Sequence, residues 1–286
     1  MIVIMKLNVI LFLVVFLISS TLLSVSTTDS EKEKSFFQKH KKIYFVTGFG
    51  SEKYPAWFAK SDKHNQVKFQ ISFRYYLISN IYFGFTEKAV WDLQDIDRSS
   101  PFQDANYNPE IFYQYKNKDG IFGLKSFDLL KLGIEHESNG KSKESGFSRS
   151  WNRVYIQTVF DFSSWFKLDL KSWIIIDKLI QSMNIVDKEL FENNDIGQYY
   201  GNFDLKLIFS LHENLNLELL LRKGNNLDFK KGSLQLGIDF RIPIGFLVKN
   251  NINPRLYIQV FNGYGETLIS YDKYQLKYRA GIMLFY

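Results

Sequence analysis

The sequence predicts an all-β fold, a twelve-stranded antiparallel transmembrane β-barrel. Three observations predict it: long segments that alternate apolar and polar residues, connections that alternate between short and long, and an export-type N-terminus. Composition removes the competing classes. Of 286 residues, 45% are hydrophobic and 17% aromatic, yet mean hydropathy is slightly negative. A bundle of membrane helices needs several apolar runs of about 18 residues or more, and only the N-terminus approaches one. The absence of cysteine excludes a disulfide scaffold, a thiol nucleophile and a thiolate-held metal. The net charge of +6 is spread along the chain without a compact basic block, so the sequence predicts no nucleic-acid partner.

Residues 1–28 read as a signal peptide. Lys6 precedes an unbroken apolar run at 9–18, and small residues follow from Ser19 onward. Such a run is short for a bilayer span and typical of a leader; a single membrane anchor, extended through 21–25, is the competing reading. Residues 29–42 read as a polar, loosely structured segment, and 43–286 as the barrel.

Within 43–286, period-two segments fall near 43–49, 66–77, 80–91, 108–116, 121–137, 151–162, 165–176, 198–210, 214–223, 231–242, 255–262 and 274–286. Leu215, Leu217, Leu219 and Leu221 alternate with a second row that holds Asn216, Glu218 and Arg222, and Leu234, Leu236, Ile238 and Phe240 with Gln235, Gly237 and Asp239. A strand so patterned has one apolar and one polar face. Many segments reach nine residues or more, the length of a tilted membrane crossing of about 9–11. The last alternates Leu276, Tyr278, Ala280, Ile282 and Leu284 and ends on aromatic Tyr286, as outer-membrane barrel strands do. Connections at 117–120, 163–164 and 212–213 are short, whereas those at 92–107, 139–150 and 177–197 are long. That asymmetry matches tight periplasmic turns and long outer loops. The stretch 243–254 departs from it, and its prolines suit a turn.

Of four histidines, His40, His64 and His212 read as solvated surface groups. His136 lies in Ile134-Glu135-His136-Glu137-Ser138-Asn139-Gly140. Residues i and i+2 of a strand share a face, so His136 and Ser138 are neighbours, as a serine needs if an imidazole is to take its proton. Leu130, Leu132 and Ile134 have the same parity, which aims the pair at lipid. Asn152 shares parity with Val154, Ile156, Thr158 and Phe160 on the next segment, and a hairpin brings its amide near His136. An amide oxygen there can accept the ring N–H and orient it. Arg149 and Arg153 read either as lipid-headgroup contacts or as solvated or lumen-facing charges. The five tryptophans read as girdle or packing residues, and Asp95, Asp97 and Asp104 as solvent-facing.

With these residues in place, the sequence resembles the outer-membrane phospholipase A family. His136-Glu137-Ser138-Asn139-Gly140 is similar to its His-x-Ser-Asn-Gly signature, and Ser148-Arg149-Ser150-Trp151-Asn152-Arg153 to its Ser-Arg-Ser-Trp-Asn-Arg signature. Val67-Lys68-Phe69-Gln70, Ser99-Ser100-Pro101-Phe102 with Asn106-Tyr107, and Gly263-Tyr264-Gly265-Glu266 add support. The resemblance covers residues 65–286. It implies a calcium-dependent outer-membrane hydrolase of phospholipid and lysophospholipid acyl esters (A1 and A2 activity), with its site toward the outer leaflet. By it, Ser138 is the nucleophile, His136 the general base and then acid, and Asn152 the residue that orients His136. The Gly140 N–H serves the oxyanion. The implied Ca²⁺, one per site at the interface of an active homodimer, takes oxygens from Ser148, the Lys141 carbonyl and Ser99 of the partner subunit, a donor set that suits a hard cation. The 140–148 segment is about two residues longer than the family spacing, which leaves Lys143 and Glu144 as alternative calcium ligands. Asp92 replaces a family amide; at a dimer seam a carboxylate there would weaken association or bind a cation. The alternative functions are a catalytically silent barrel, porin or adhesin, and an esterase for other lipids.

Overall fold

The computed structural model describes residues 37–50, 66–92, 102–117, 119–183, 193–225, 230–242 and 254–285. The signal-peptide reading of 1–28, the interruption at 243–253, and His64, Trp57, Asp95, Asp97 and Ser99 therefore lie outside the described residues.

Strands β1 (Phe37–Lys39), β2 (Ile43–Gly50), β3 (Gln66–Ile78), β4 (Ile81–Asp92), β5 (Phe102–Lys116) and β6 (Phe127–Ser138) make up the first half. Then come β7 (Ser150–Ser163), β8 (Phe166–Ile175), helices α1 (Ile176–Ser182) and α2 (Ile196–Tyr200), β9 (Phe203–His212), β10 (Leu215–Lys223), β11 (Gly232–Arg241), β12 (Arg255–Gly263) and β13 (Gln275–Phe285). From β2 to β13 each strand pairs antiparallel with the next, and β13 returns to β2, from Lys277 opposite Gly50 to Phe285 opposite Ile43. The result is a closed twelve-stranded antiparallel barrel without free sheet edges, as a membrane-spanning sheet requires. No described helix is long and apolar enough to cross a membrane.

The alternation sorts the two faces. Phe45, Ile71, Ile111, Ile156, Ile258 and Ile282 point outward and are 41–54% exposed, whereas Lys68, Glu110, Glu135, Arg153, Asp239 and Arg279 are buried in the lumen. An apolar wall around a polar interior inverts the soluble arrangement and suits a lipid surround. The inward charges are paired: Arg153 with Glu135 (3.0 Å) and Glu137 (2.8 Å), Arg222 with Asp204 (2.6 Å), and Arg255 with Asp239.

Four features differ from the sequence reading. The segment read as a strand from 121 begins at Phe127, because positive φ at Gly120, Phe122 and Gly123 coils 120–126 into turns. β5 starts at Phe102 rather than 108; its inward Asp104 and Asn106 give a strand the composition of a loop. Asp104 is thus buried, not solvent-facing, and its carboxylate accepts the Ile269 N–H at 2.9 Å. The segment read from 198 begins at Phe203, since 196–200 is helical.

The fourth is at the N-terminus. β1 pairs with β3 beyond the end of β2, and His40-Lys41-Lys42 turns into the lumen. His40 Nε2 lies 2.7 Å from Glu110 Oε1 and its ring stacks on Phe112. Lys41 pairs with Glu110 at 2.8 Å, and Lys42 with Glu218 at 3.0 Å. His40 is therefore an interior group, and 37–42 are ordered by charge pairing that the linear sequence does not display. Gly84 permits the approach, because a Cβ there would sit 3.0 Å from the His40 ring. His212, at the end of β9, is a turn residue that accepts the Asn214 N–H at 3.3 Å. Trp151 and Trp173 pack internally and Trp165 is exposed at a turn.

Candidate active site

The site lies where β6 and β7 leave the barrel for the 139–149 loop, at the rim that also carries 176–183, 193–202 and 264–274. The tight turns at 79–80, 164–165 and 213–214 occupy the opposite rim. The β6–β7 register places His136 directly opposite Asn152 and Ser138 opposite Ser150. His136 and Ser138 share the outward row with Leu132, which is 42% exposed, while the interleaved Glu135 and Glu137 are buried. Polar groups at mid-bilayer on this face would cost about 2–4 kcal/mol if charged, and near nothing at the rim, so the rim is where such a pair can be kept.

Asn152 Oδ1 lies 2.9 Å from His136 Nδ1. That contact makes Nδ1 the protonated nitrogen and leaves Nε2 as the basic one. Among the described residues the Ser138 hydroxyl makes no hydrogen bond to the ring, and nucleophile–base contacts are often long until substrate arrives. Backbone support comes from the lumen side. Pro109 falls opposite His136, bracketed by the pairs Tyr107–Ser138 and Glu110–Glu135, and has no N–H to give. Asn108 Nδ2 donates to the His136 carbonyl instead, at 2.9 Å.

The loop beyond Ser138 is held by Asn139. Its backbone N–H donates to the Arg149 carbonyl (3.0 Å), its side-chain Nδ2 to the Phe147 carbonyl (2.9 Å), and its Oδ1 accepts the Arg149 N–H (2.9 Å). Gly140 follows with φ +65°, and its N–H has no acceptor among the described residues. The loop then forms a single 3₁₀ turn at Lys143–Ser145, whose Lys143 carbonyl accepts the Gly146 N–H at 3.0 Å. Glu144 is exposed and outside the hollow described next.

A hollow of about 420 Å³ joins these parts, bordered by His136, Ser138, Gly140, Lys141, Ser148 and Asn152. Six of the seven residues singled out from the sequence are thus brought together, and the seventh, Ser99, lies outside the described residues. No group of three or more His, Asp or Glu side chains that could hold a metal ion occurs among the described residues, while the carbonyl and hydroxyl oxygens of Lys141 and Ser148 at the hollow are donors that fit calcium. Arg149 Nη1 occupies the Ser148 carbonyl at 2.7 Å, which leaves the Ser148 hydroxyl for that role.

Two residues of the site were not legible in advance. Asn139 had no role assigned, and Asp177, in what reads as loop, borders the hollow and accepts both Asn152 N–H (3.0 Å) and Asn152 Nδ2 (2.8 Å). Burial pushes the Asp177 carboxyl above its usual range, against the pull of these two Asn152 donors.

Comparison with known proteins agrees with this architecture. A family model described as phospholipase A1 matches residues 22–284. Phospholipase A1 of Escherichia coli strain K12 is 30% identical over 234 residues, 79% of this chain and 72% of that protein. Phospholipase A1 of Proteus vulgaris is 30% identical over 236 residues, with 80% and 72% covered. Among solved structures, outer membrane phospholipase A from E. coli superposes with a TM-score of 0.69 at 27% identity, covering 87% of this chain and 98% of that one. The Salmonella typhi outer membrane phospholipase, a dimer with bound calcium, gives 0.71 at 26% identity, covering 89% and 94%. A barrel of this topology, matched along nearly its whole length, places the chain in the phospholipase A1 family.

Proposed function

We propose that this protein is a calcium-dependent outer-membrane phospholipase A that hydrolyses acyl esters of phospholipids and lysophospholipids, at both sn-1 and sn-2 positions, through Ser138, His136 and Asn152. The observation that carries it is the 2.9 Å contact between His136 Nδ1 and Asn152 Oδ1 on the lipid-facing wall, two register positions from Ser138. A membrane lipid reaches that wall laterally, ester first, without leaving the bilayer.

Ser138 Oγ attacks the ester carbonyl as His136 Nε2 takes its proton. The tetrahedral oxyanion meets the free Gly140 N–H. Collapse expels the lysophospholipid alcohol, which receives the proton from His136 and leaves an acyl-serine. Water, deprotonated by His136, then hydrolyses that ester, releases the fatty acid and restores Ser138. Asn152 keeps the imidazole in the tautomer that can do both. Ser148 and the Lys141 carbonyl, with Ser99 of the partner subunit, would hold calcium; Lys141 is favoured over Lys143 because the Lys143 carbonyl already accepts Gly146 N–H. Bound there, calcium supplies positive charge beside the developing oxyanion. The bound calcium and dimeric state of the S. typhi neighbour support both the metal and a homodimer. Short turns mark the periplasmic rim, so the site faces the outer leaflet.

Phospholipid hydrolysis by the refolded protein in detergent micelles, with calcium or chelator and beside Ser138→Ala, tests this. Activity abolished in Ser138→Ala and by chelation is expected. Activity unchanged in Ser138→Ala would remove the nucleophile assignment, and indifference to chelator would remove the metal.

A further inference from the structure

Asn152 differs from a triad carboxylate in one physical respect: its amide has two ends. A half-turn about its last side-chain bond exchanges oxygen and nitrogen in nearly the same space. With oxygen toward His136, Nδ1 carries the proton and Nε2 is free to act on Ser138. With nitrogen toward His136, Nδ1 must accept, the proton moves to Nε2, and the ring cannot take the serine proton. Something must choose between the two.

Asp177 stands where that choice is made. It lies in the first turn of α1, directly after β8, and the residue is 7% exposed. Its Oδ1 receives Asn152 Nδ2 at 2.8 Å and its Oδ2 receives the Asn152 backbone N–H at 3.0 Å. An ionised carboxylate only accepts hydrogen bonds, so it admits just the orientation with the amide nitrogen toward itself and the oxygen toward His136. The charge-assisted bond also polarises the amide and strengthens its oxygen as an acceptor. Resting on the serine-hydrolase function proposed above, we propose that Asp177 is a positioning residue: its carboxylate locks the Asn152 amide, and through it the His136 tautomer that activates Ser138.

The test is a charge-exchange cycle in the full chain, folded in calcium-containing micelles. Asp177→Asn places at 177 a group able to donate or accept, so both Asn152 orientations become available. A fall in kcat of about 10- to 100-fold with KM within about twofold is expected. Asn152→Asp alone sets two carboxylates against each other and is also impaired. The double variant Asp177→Asn/Asn152→Asp puts a two-fold symmetric acceptor beside His136 and a donor behind it, and regains at least about tenfold in kcat over either single variant. In protein labelled with ¹⁵N-histidine, the His136 ring shifts report one Nδ1–H tautomer in the wild type and a mixture in Asp177→Asn. An unchanged kcat in Asp177→Asn, or a double variant no better than the single ones, overturns the proposal. Loss of thermal stability with kcat and KM worsening together in all three variants would assign Asp177 a merely structural part and overturn it equally. Should the wild type itself hydrolyse no lipid, the functional reading fails, and the tautomer measurement, which needs no turnover, still decides the role of Asp177.

Discussion

One residue of register decides whether His136 meets lipid or lumen. A slip of one position in β6 would exchange the row holding His136 and Ser138 for the one holding Glu135 and Glu137. The register is held by the outward apolar row, by Arg153 between Glu135 and Glu137, and by Asn108, which takes the carbonyl that Pro109 leaves without a donor. Past Ser138 the chain must turn at once, and Gly140 does so with φ +65°. An L side chain in that region costs roughly 1–2 kcal/mol, and a Cβ there would stand 3.3 Å from the Tyr107 ring. Gly140→Ala should therefore twist its N–H away from the oxyanion and lower kcat by about tenfold or more, while the barrel still folds. Folding is read from heat-modifiable migration in gels and the rate from initial velocities; an unaltered kcat would take Gly140 out of the oxyanion site.

At the scale of elements, the 264–274 loop and α2 cap the same rim. Three separate sequence signatures meet there. Glu266 pairs with Lys68 at 3.1 Å and with Arg279, while Asn106 Oδ1 accepts the Leu268 N–H at 3.1 Å. Tyr200 of α2 packs on Trp151 with ring centroids 4.8 Å apart. Burial alone would raise the Glu266 carboxyl, but Arg279 and Lys68 outweigh it and hold the group well below the usual carboxylate range. A carboxyl that binds its proton less readily folded than unfolded stabilises fully above the ordinary glutamate value of about 4.3, and loses that contribution as pH falls below it. Breaking such a buried pair costs about 3–5 kcal/mol. Glu266→Gln should lower the unfolding temperature by on the order of 10 °C at pH 7. It should also shrink the loss of stability that the wild type shows between pH 7 and pH 3. Equal acid sensitivity in both proteins would place the titrating group elsewhere.

For the whole molecule, closure is what gives the barrel a continuous lipid-facing outer wall. A lumen crossed by Lys41, Lys42, Arg153, Arg222 and Arg279 with their acidic partners, and capped by α2 and 264–274, is not built as an open pore, which disfavours the porin alternative. In the function proposed above, lipid reaches the hollow around Ser138 from the outer wall, and the implied third calcium donor belongs to a second copy. A chemically crosslinked dimer in calcium should therefore show at least about tenfold higher specific activity than the same protein diluted to monomers. Equal specific activity of the two forms would show that one chain carries a complete site.

The sequence alone determined the faces. Period two is a local property, so the alternation along each strand already separated lumen from lipid, put His136, Ser138 and Asn152 on one outward row, and placed the site at the loop end of a hairpin. Family signatures then attached chemistry to those positions. Local composition failed where an inward strand is polar, as at Asp104 and Asn106, and where glycines or a short helix interrupt an apolar pattern, as at 120–126 and 196–200. What only the tertiary structure decided are the pairings across the barrel: His40 on Glu110, Lys68 on Glu266, Asn108 beneath His136 and Asp177 behind Asn152. Each joins residues from 25 to 198 positions apart. Such contacts arise because closure brings distant strands side by side, and burying a polar or charged group is costly unless a partner stands across from it.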